Sequence, residues 1–317
     1  MGVAAAESVS APTTLSLIAD YFPKEKRPLA MAINQSTVFI GLFFGFLVAG
    51  VIGERYGWRA AFFVAGLPGL LLGLLMLFTV REPVRGATEA PGVDKGDMSA
   101  TFLQNVKWLI TRPAFMLISF GTAFVAMQGY AYLIWSASFL RRVHGLSGSE
   151  VGTLLALALS LPAMLGVLMG GATGSWLQRR SRTGDRWTLR LCGLSMLVAM
   201  PLYVAFLTAP DLHLALVYLG AASFIAGFPT GPALAAGLSV VRVSMRSMAA
   251  ALWVVVISVV GQGGGALIVG MVSDHFAAST GAASIRYGLM AALIGNVMAF
   301  VCYWAASQRY EREFASL

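Results

Sequence analysis

Glu7 is a carboxylate set among small apolar side chains, in the stretch AAAESVSAP that covers residues 4 to 12. In a medium of low dielectric a carboxyl group holds its proton more tightly, so it can load and release one across a gradient; otherwise it faces a cavity or a partner. The other polar side chains embedded in apolar runs are few. They are Asn34 and Gln35, then Gln128 with Tyr130, Tyr132 and Trp135, then Trp253 and Gln262, and finally Asn296. Buried amides either contact a solute or tie helices together by hydrogen bonds, and Trp and Tyr near span ends serve as interfacial anchors. His144, His213 and His275 show no ligand spacing with one another or with a cysteine, so no metal site and no cofactor is expected. Cys192 and Cys302 both fall inside apolar runs, where buried free thiols are the expectation. The sequence contains no phosphate-binding loop, no Gly-x-Ser-x-Gly elbow and no H-E-x-x-H.

The elements that must position these groups are membrane helices. Of the 317 residues 58% are hydrophobic and 11% charged, and the mean hydropathy is +0.77. Soluble domains carry about a quarter charged residues. The charges are also confined: eight stretches, beginning with that between Arg27 and Glu54 and ending with that between Arg286 and Arg309, contain none. Each is at least about 20 residues long, enough for a helix to cross ~30 Å of hydrocarbon. Residues 1–19, broken only by Glu7, make a ninth. The expected fold class is therefore an all-α integral membrane protein, a polytopic helix bundle of nine spans. An intramembrane enzyme would need a second catalytic group at membrane depth, and no other Asp, Glu, His, Lys or Arg lies well inside a span; no enzyme activity is expected.

The net charge of +8 does not imply nucleic acid. Assigning the loops alternately to the two sides puts 17 of the 22 Lys and Arg on one side and Arg55, Arg59, Arg141, Arg142 and Arg286 on the other. The positive-inside rule places the larger set, and with it the C-terminus, in the cytoplasm. The longest polar stretch, REPVRGATEAPGVDKGDMS, reads as a linker, and Phe102, Val106, Leu109 and Ile110 behind it fall at the spacing of an amphipathic surface helix. The expected division is 1–80, then a linker over 81–111, then 112–317. A faint repeat joins the two parts. Gly41, Gly45 and Gly50 are spaced like Gly261, Gly265 and Gly270, 220 residues apart, as in transporters built from related halves. Glycines at such spacing let helices approach closely and rock, and GQGGG (261–265) is a candidate flexible point.

Several stretches resemble the major facilitator superfamily. ESVSAP followed by LIADYFPKEKRPLAMAI is similar to helix four and its cytoplasmic loop, and GWRAAFFVAGLPGLLLGLL with TVREPVRG to helix six and the central linker. IWSASFLRRVHGLSGSEVG, GPALAAGLSVVRVSMRSMAAAL and GGGALIVGMVSDHF resemble segments of the Spinster-like branch. The resemblance implies helices four to twelve of a twelve-helix fold in two halves, with the first three helices and their gating loop upstream of Met1. The loop's weaker copy falls on GGATGSWLQRR, where Ser175 and Trp176 stand in place of the usual Asp–Arg pair; Phe46 likewise replaces the proline of the antiporter glycine motif.

The resemblance further implies a helix-four Glu, followed five residues later by Pro, as Glu7 and Pro12 are, with proton coupling or solute contact as its role. The function expected is secondary active transport of a small amphipathic or organic-anion solute across the inner membrane, with protons, solute and bilayer as partners. The alternative is a non-transporting, truncated or regulatory membrane protein.

Overall fold

A computed structural model describes residues 14, 18, 21–23, 25–79, 102–180, 184–242 and 245–314. Among them every regular element is helical. Glu7 and most of the linker lie outside the described residues.

α1 (Arg27–Leu47) runs through a π turn (Val48–Ile52) into α2 (Gly53–Thr79), which is kinked at Gly57, φ 82°. α3 (Phe102–Ile110) is short, as the spacing of its apolar residues predicts, and α4 (Pro113–His144) is long. α5 (Gly148–Leu155), a π turn (Ala156–Ser160) and α6 (Leu161–Arg180) make one rod. α7 (Gly184–Thr208), α8 (Leu212–Gly227) and α9 (Thr230–Ser239) follow. α10 (Arg246–Val256), a π turn (Ile257–Gly263) and α11 (Gly264–Thr280) form a second composite rod. A 3-10 turn (Gly281–Ala283) then leads to α12 (Ser284–Ala292) and α13 (Ile294–Phe314). Among the described residues, six continuous helical stretches are long and apolar enough to cross a membrane.

The charge-free runs end where the sequence caps its helices. Ser147 and Glu150 form a reciprocal capping box: the Ser147 N–H donates to Glu150 Oε2 at 2.8 Å and the Glu150 N–H to Ser147 Oγ at 3.4 Å. Asp211 accepts from the Leu214 N–H at 2.8 Å and starts α8. Gly145 ends α4 in the left-handed conformation, φ 68°, which favours glycine. Tryptophans sit beside arginines near the helix ends. Arg112 and Arg242 lie 4.3 and 5.0 Å from the Trp108 ring, and Arg190 lies 4.9 Å from both Trp187 and Trp304. Rings of this kind suit the membrane–water boundary, and the cation contacts hold them there.

Residues from Pro113 onward form a packed bundle in which α4 and α13 are neighbours, as are α7 and α13 and α7 and α8. At the arginine-rich end its core contains Phe115, Ile118, Trp253, Tyr303 and Tyr310, joined by Leu109 of α3. At the other end Tyr132, Phe139, Tyr203, Phe206 and Leu289 fill the space. α1 lies against α6 and α9. α2 buries none of its residues.

Candidate functional site along the α1 seam

α1 meets the bundle through small residues at both ends. Near its start, a Cβ added at Gly171 of α6 would overlap Ala32, and one at Gly231 of α9 would lie 2.7 Å from the Ala32 Cβ. Real Cβ atoms do not approach so closely, so these glycines set the distance between backbones. The Leu29 N–H donates to Ser175 Oγ at 3.1 Å, joining the two helices by a hydrogen bond. Ser175 is thus a neutral acceptor on the seam. Arg27, buried in the first turn of α1, donates from Nε to the Phe22 carbonyl at 3.0 Å.

At the far end of the seam the pattern repeats with different residues. A Cβ on Gly50 would sit 3.1 Å from the Gly148 carbonyl, and one on Gly152 would sit 2.6 Å from that of Phe46. Beyond it, Glu54 accepts from the Ser149 N–H at 2.8 Å, so a carboxylate closes the free N-terminus of α5. The sequence offered no direct signal for either hydrogen bond. Each joins residues about 95 or 146 positions apart.

The polar residues read from the sequence separate into two groups. Gln262, exposed on the third π turn, donates from Nε2 to the Tyr130 hydroxyl at 2.9 Å. Trp135 Nε1 donates to the Ala266 carbonyl at 3.3 Å. These three join α4 to the α10–α11 rod, and Asn34 and Gln35 are half-buried on α1. The second group is enclosed in the bundle. Gln128, Tyr132, Trp253 and Asn296 are each at most 1% exposed. Asn296 donates to the Met196 carbonyl at 2.9 Å, Tyr132 stacks 4.2 Å from Tyr203, and Trp253 stands edge-on to Phe115. Gln128 Nε2 and Asn296 Oδ1 have no hydrogen-bond partner among the described residues.

The six repeat glycines also divide. Gly41 and Gly45 have nothing within 4 Å of an added Cβ, whereas Gly50 is packed on α5. Gly261 lies against Ala126 and Gly265 against the Met127 carbonyl, while a Cβ on Gly270 would touch Trp135 at 3.7 Å. π turns occur often at functional positions in helices. Here they interrupt α1–α2, α5–α6 and α10–α11.

The rods of this helical membrane protein meet through glycine contacts and carry polar residues inside. The sequence profile of the Major Facilitator Superfamily matches residues 1–261, and the chain belongs to that superfamily. Its Spinster-like character is shown by its relatives. An MFS-type efflux pump of Mycolicibacterium smegmatis is 29% identical over 314 residues, 99% of this chain and 71% of that protein. Protein spinster homolog 1 of Xenopus tropicalis is 27% identical over 290 residues, 86% of this chain and 53% of that protein. The chain thus spans about half the length of that relative. A solved structure of a bacterial homolog of the human lysosomal transporter Spinster, inward-facing and unoccupied, superposes with a TM-score of 0.69 at 25% identity, over 95% of this chain and 74% of that one. The Escherichia coli fucose:proton symporter, 15% identical, shares the fold with a TM-score of 0.62.

Proposed function

We propose that the protein takes part in secondary transport of a small amphipathic or organic-anion solute by alternating access, coupled to protons through Glu7. The observation that carries this reading is the α1 seam. While Met31 of α1 is buried in the bundle core, the α1–α2 and α5–α6 rods approach backbone to backbone through Gly50, Gly148 and Gly152 at one end and Ala32 and Gly171 at the other, with Gly231 of α9 beside Ala32. Such a surface favours rocking over rigid interlocking. On this reading residues 1–80 and 112–317 belong to two halves, with 81–111 as the linker between them.

Helix length supports the nine-span reading. The helical stretches of 53 and 65 residues are about 80 and 100 Å long, each enough for two crossings, with breaks at Gly57 and Gly281. That makes eight, and residues 1–19 supply the ninth. The 17-to-5 arginine and lysine bias supports a cytoplasmic C-terminus, and on this reading the protein lies in the inner membrane.

Uptake of a panel of radiolabelled organic anions into proteoliposomes, driven by an imposed pH gradient, tests the reading. Glu7→Gln is expected to abolish the pH-driven component without altering thermal stability; undiminished pH-driven uptake would overturn the coupling role. A second reading, a non-transporting membrane protein, draws on the wholly unburied α2, and it predicts no uptake of any anion by the wild-type chain.

A further inference from the structure

The hydrogen bonds at the two ends of the α1 seam differ in kind. At the arginine-rich end the Leu29 N–H donates to the neutral Ser175 Oγ at 3.1 Å. At the arginine-poor end the Ser149 N–H donates to a carboxylate, Glu54 Oε2, at 2.8 Å. One rod thus offers an anion to a helix terminus of the other, and this contact is exposed.

Neither rod needs the contact for its own helix. The N-terminus of α5 already has a carboxylate, since Glu150 accepts from the Ser147 N–H and hydroxyl while Ser147 Oγ accepts from the Glu150 N–H. Glu54 is a second anion at that terminus, brought there from 95 positions away. On its own rod it stands at the unfavourable end. The helical conformation breaks at Gly57, φ 82°, so Glu54 lies in the last turn before the break, where the helix dipole disfavours a carboxylate. The dipole of α5 reverses that sign only when its N-terminus is alongside. The Ser149 N–H belongs to the first turn of α5, whose donors have no partner within the helix. The stabilisation is therefore tied to the approach of the two rods. Next to it the packing supplies no side chain to hold that approach: a Cβ on Gly50 would lie 3.1 Å from the Gly152 Cα.

We propose that Glu54 is an electrostatic latch that holds the arginine-poor ends of the two rods together, and that its release from the Ser149 N–H is a step in opening this end of the molecule. The Leu29–Ser175 bond carries no charge, so of the two contacts it is the arginine-poor one that salt and charge removal weaken. The inference deepens the alternating-access reading and rests on it, by naming a group that biases the balance between the two open states.

The test reads conformation rather than uptake. The full chain, labelled with nitroxides at Tyr56→Cys and His213→Cys, is placed in phosphatidylcholine nanodiscs, and double electron–electron resonance measures the distance from the α1–α2 rod to α8. Both positions are exposed, while Cys192 and Cys302 are buried away from the reagent. A short and a long distance are expected. Glu54→Gln, which keeps an acceptor and loses the charge, is expected to raise the long-to-short ratio about threefold. Ser149→Pro removes the donor in a first turn that tolerates proline, and should raise the ratio as much. Raising the salt from ~0.05 to ~1 M should raise the ratio in the otherwise wild-type chain and leave it level in Glu54→Gln. Two distances whose ratio responds to neither substitution would overturn the latch and leave alternating access standing. A shift in Glu54→Gln without one in folded Ser149→Pro would also overturn it, because the contact with α5 would not be what holds the ends. A single distance in every variant at both salt concentrations would count against the rocking itself, and the latch would fall with it. Glu54 is exposed, so Glu54→Gln and its salt response decide the matter even where Ser149→Pro does not fold.

Discussion

α2 and α6 are both apolar, both carry glycines a turn apart, and only one of them is packed. On α6, Gly166 abuts Phe224, Gly170 abuts Phe228, Gly171 abuts Ala32, and Gly174 lies between Pro28 and Pro232. On α2, Gly66, Gly69 and Gly73 have nothing within 4 Å, and Phe62, Phe63 and Phe78 are at least 73% exposed. Apolarity does not separate the two, because hydrocarbon solvates Leu and Phe as well as a protein interior does. The difference lies in what stands opposite. A row of small residues becomes an interface only where another backbone approaches it, and α1, α8 and α9 do so for α6.

The largest expected effect that sharpens this contrast is at tryptophan. Trp253 is 1% exposed and packs on Phe115 and Gly237, whereas Trp58 is 63% exposed on α2. Trp253→Ala is expected to cost about 3–5 kcal/mol by leaving a cavity, and Trp58→Ala less than about 0.5. Thermal unfolding in detergent compares them, and equal losses would break the distinction. Next come the glycines. Gly171→Val is expected to cost about 1–3 kcal/mol through overlap with Ala32 and the Pro28 carbonyl. Gly69→Val should leave the melting temperature unchanged. The smallest effects are single hydrogen bonds. Ser147→Ala, which removes the capping box, and Ser175→Ala, which removes the acceptor for Leu29, should each cost about 1 kcal/mol. Only the second should loosen α1, seen as faster hydrogen exchange at the Leu29 amide.

The helical class and the short α3 were legible because charge-free length and amphipathic spacing report directly on a helix in or along a bilayer. The charged residues that bound the runs were legible for the same reason, while the caps Ser147 and Asp211 emerge only from the structure. Which polar residues share a face was legible only in part. Gln128, Tyr130 and Tyr132 look like one cluster in the chain, yet two positions along a helix rotate a side chain by about 200°. Tyr130 accordingly meets Gln262 while Gln128 and Tyr132 turn into the bundle. The seam was least legible. The glycine repeat drew notice to Gly50, which meets α5, but also to Gly41 and Gly45, which touch nothing, while Gly152, Gly171 and Gly231 outside the repeat form the other contacts of the seam. Such contacts depend on the register between distant helices, and no local pattern carries that information.

The proposed transport requires α1 to rock against α6. Pro28 and Gly174 face each other there, and a Cβ on Gly174 would lie 3.3 Å from the Pro28 Cβ, close to the spacing of a disulfide. The measurement is oxidative cross-linking of the double variant Pro28→Cys/Gly174→Cys, followed by cleavage within 81–101 and anion uptake. If α1 rocks against α6, the two fragments stay joined until reduced and uptake stops while they are joined. Fragments that separate under oxidation, or a joined protein that transports at the full rate, would contradict it.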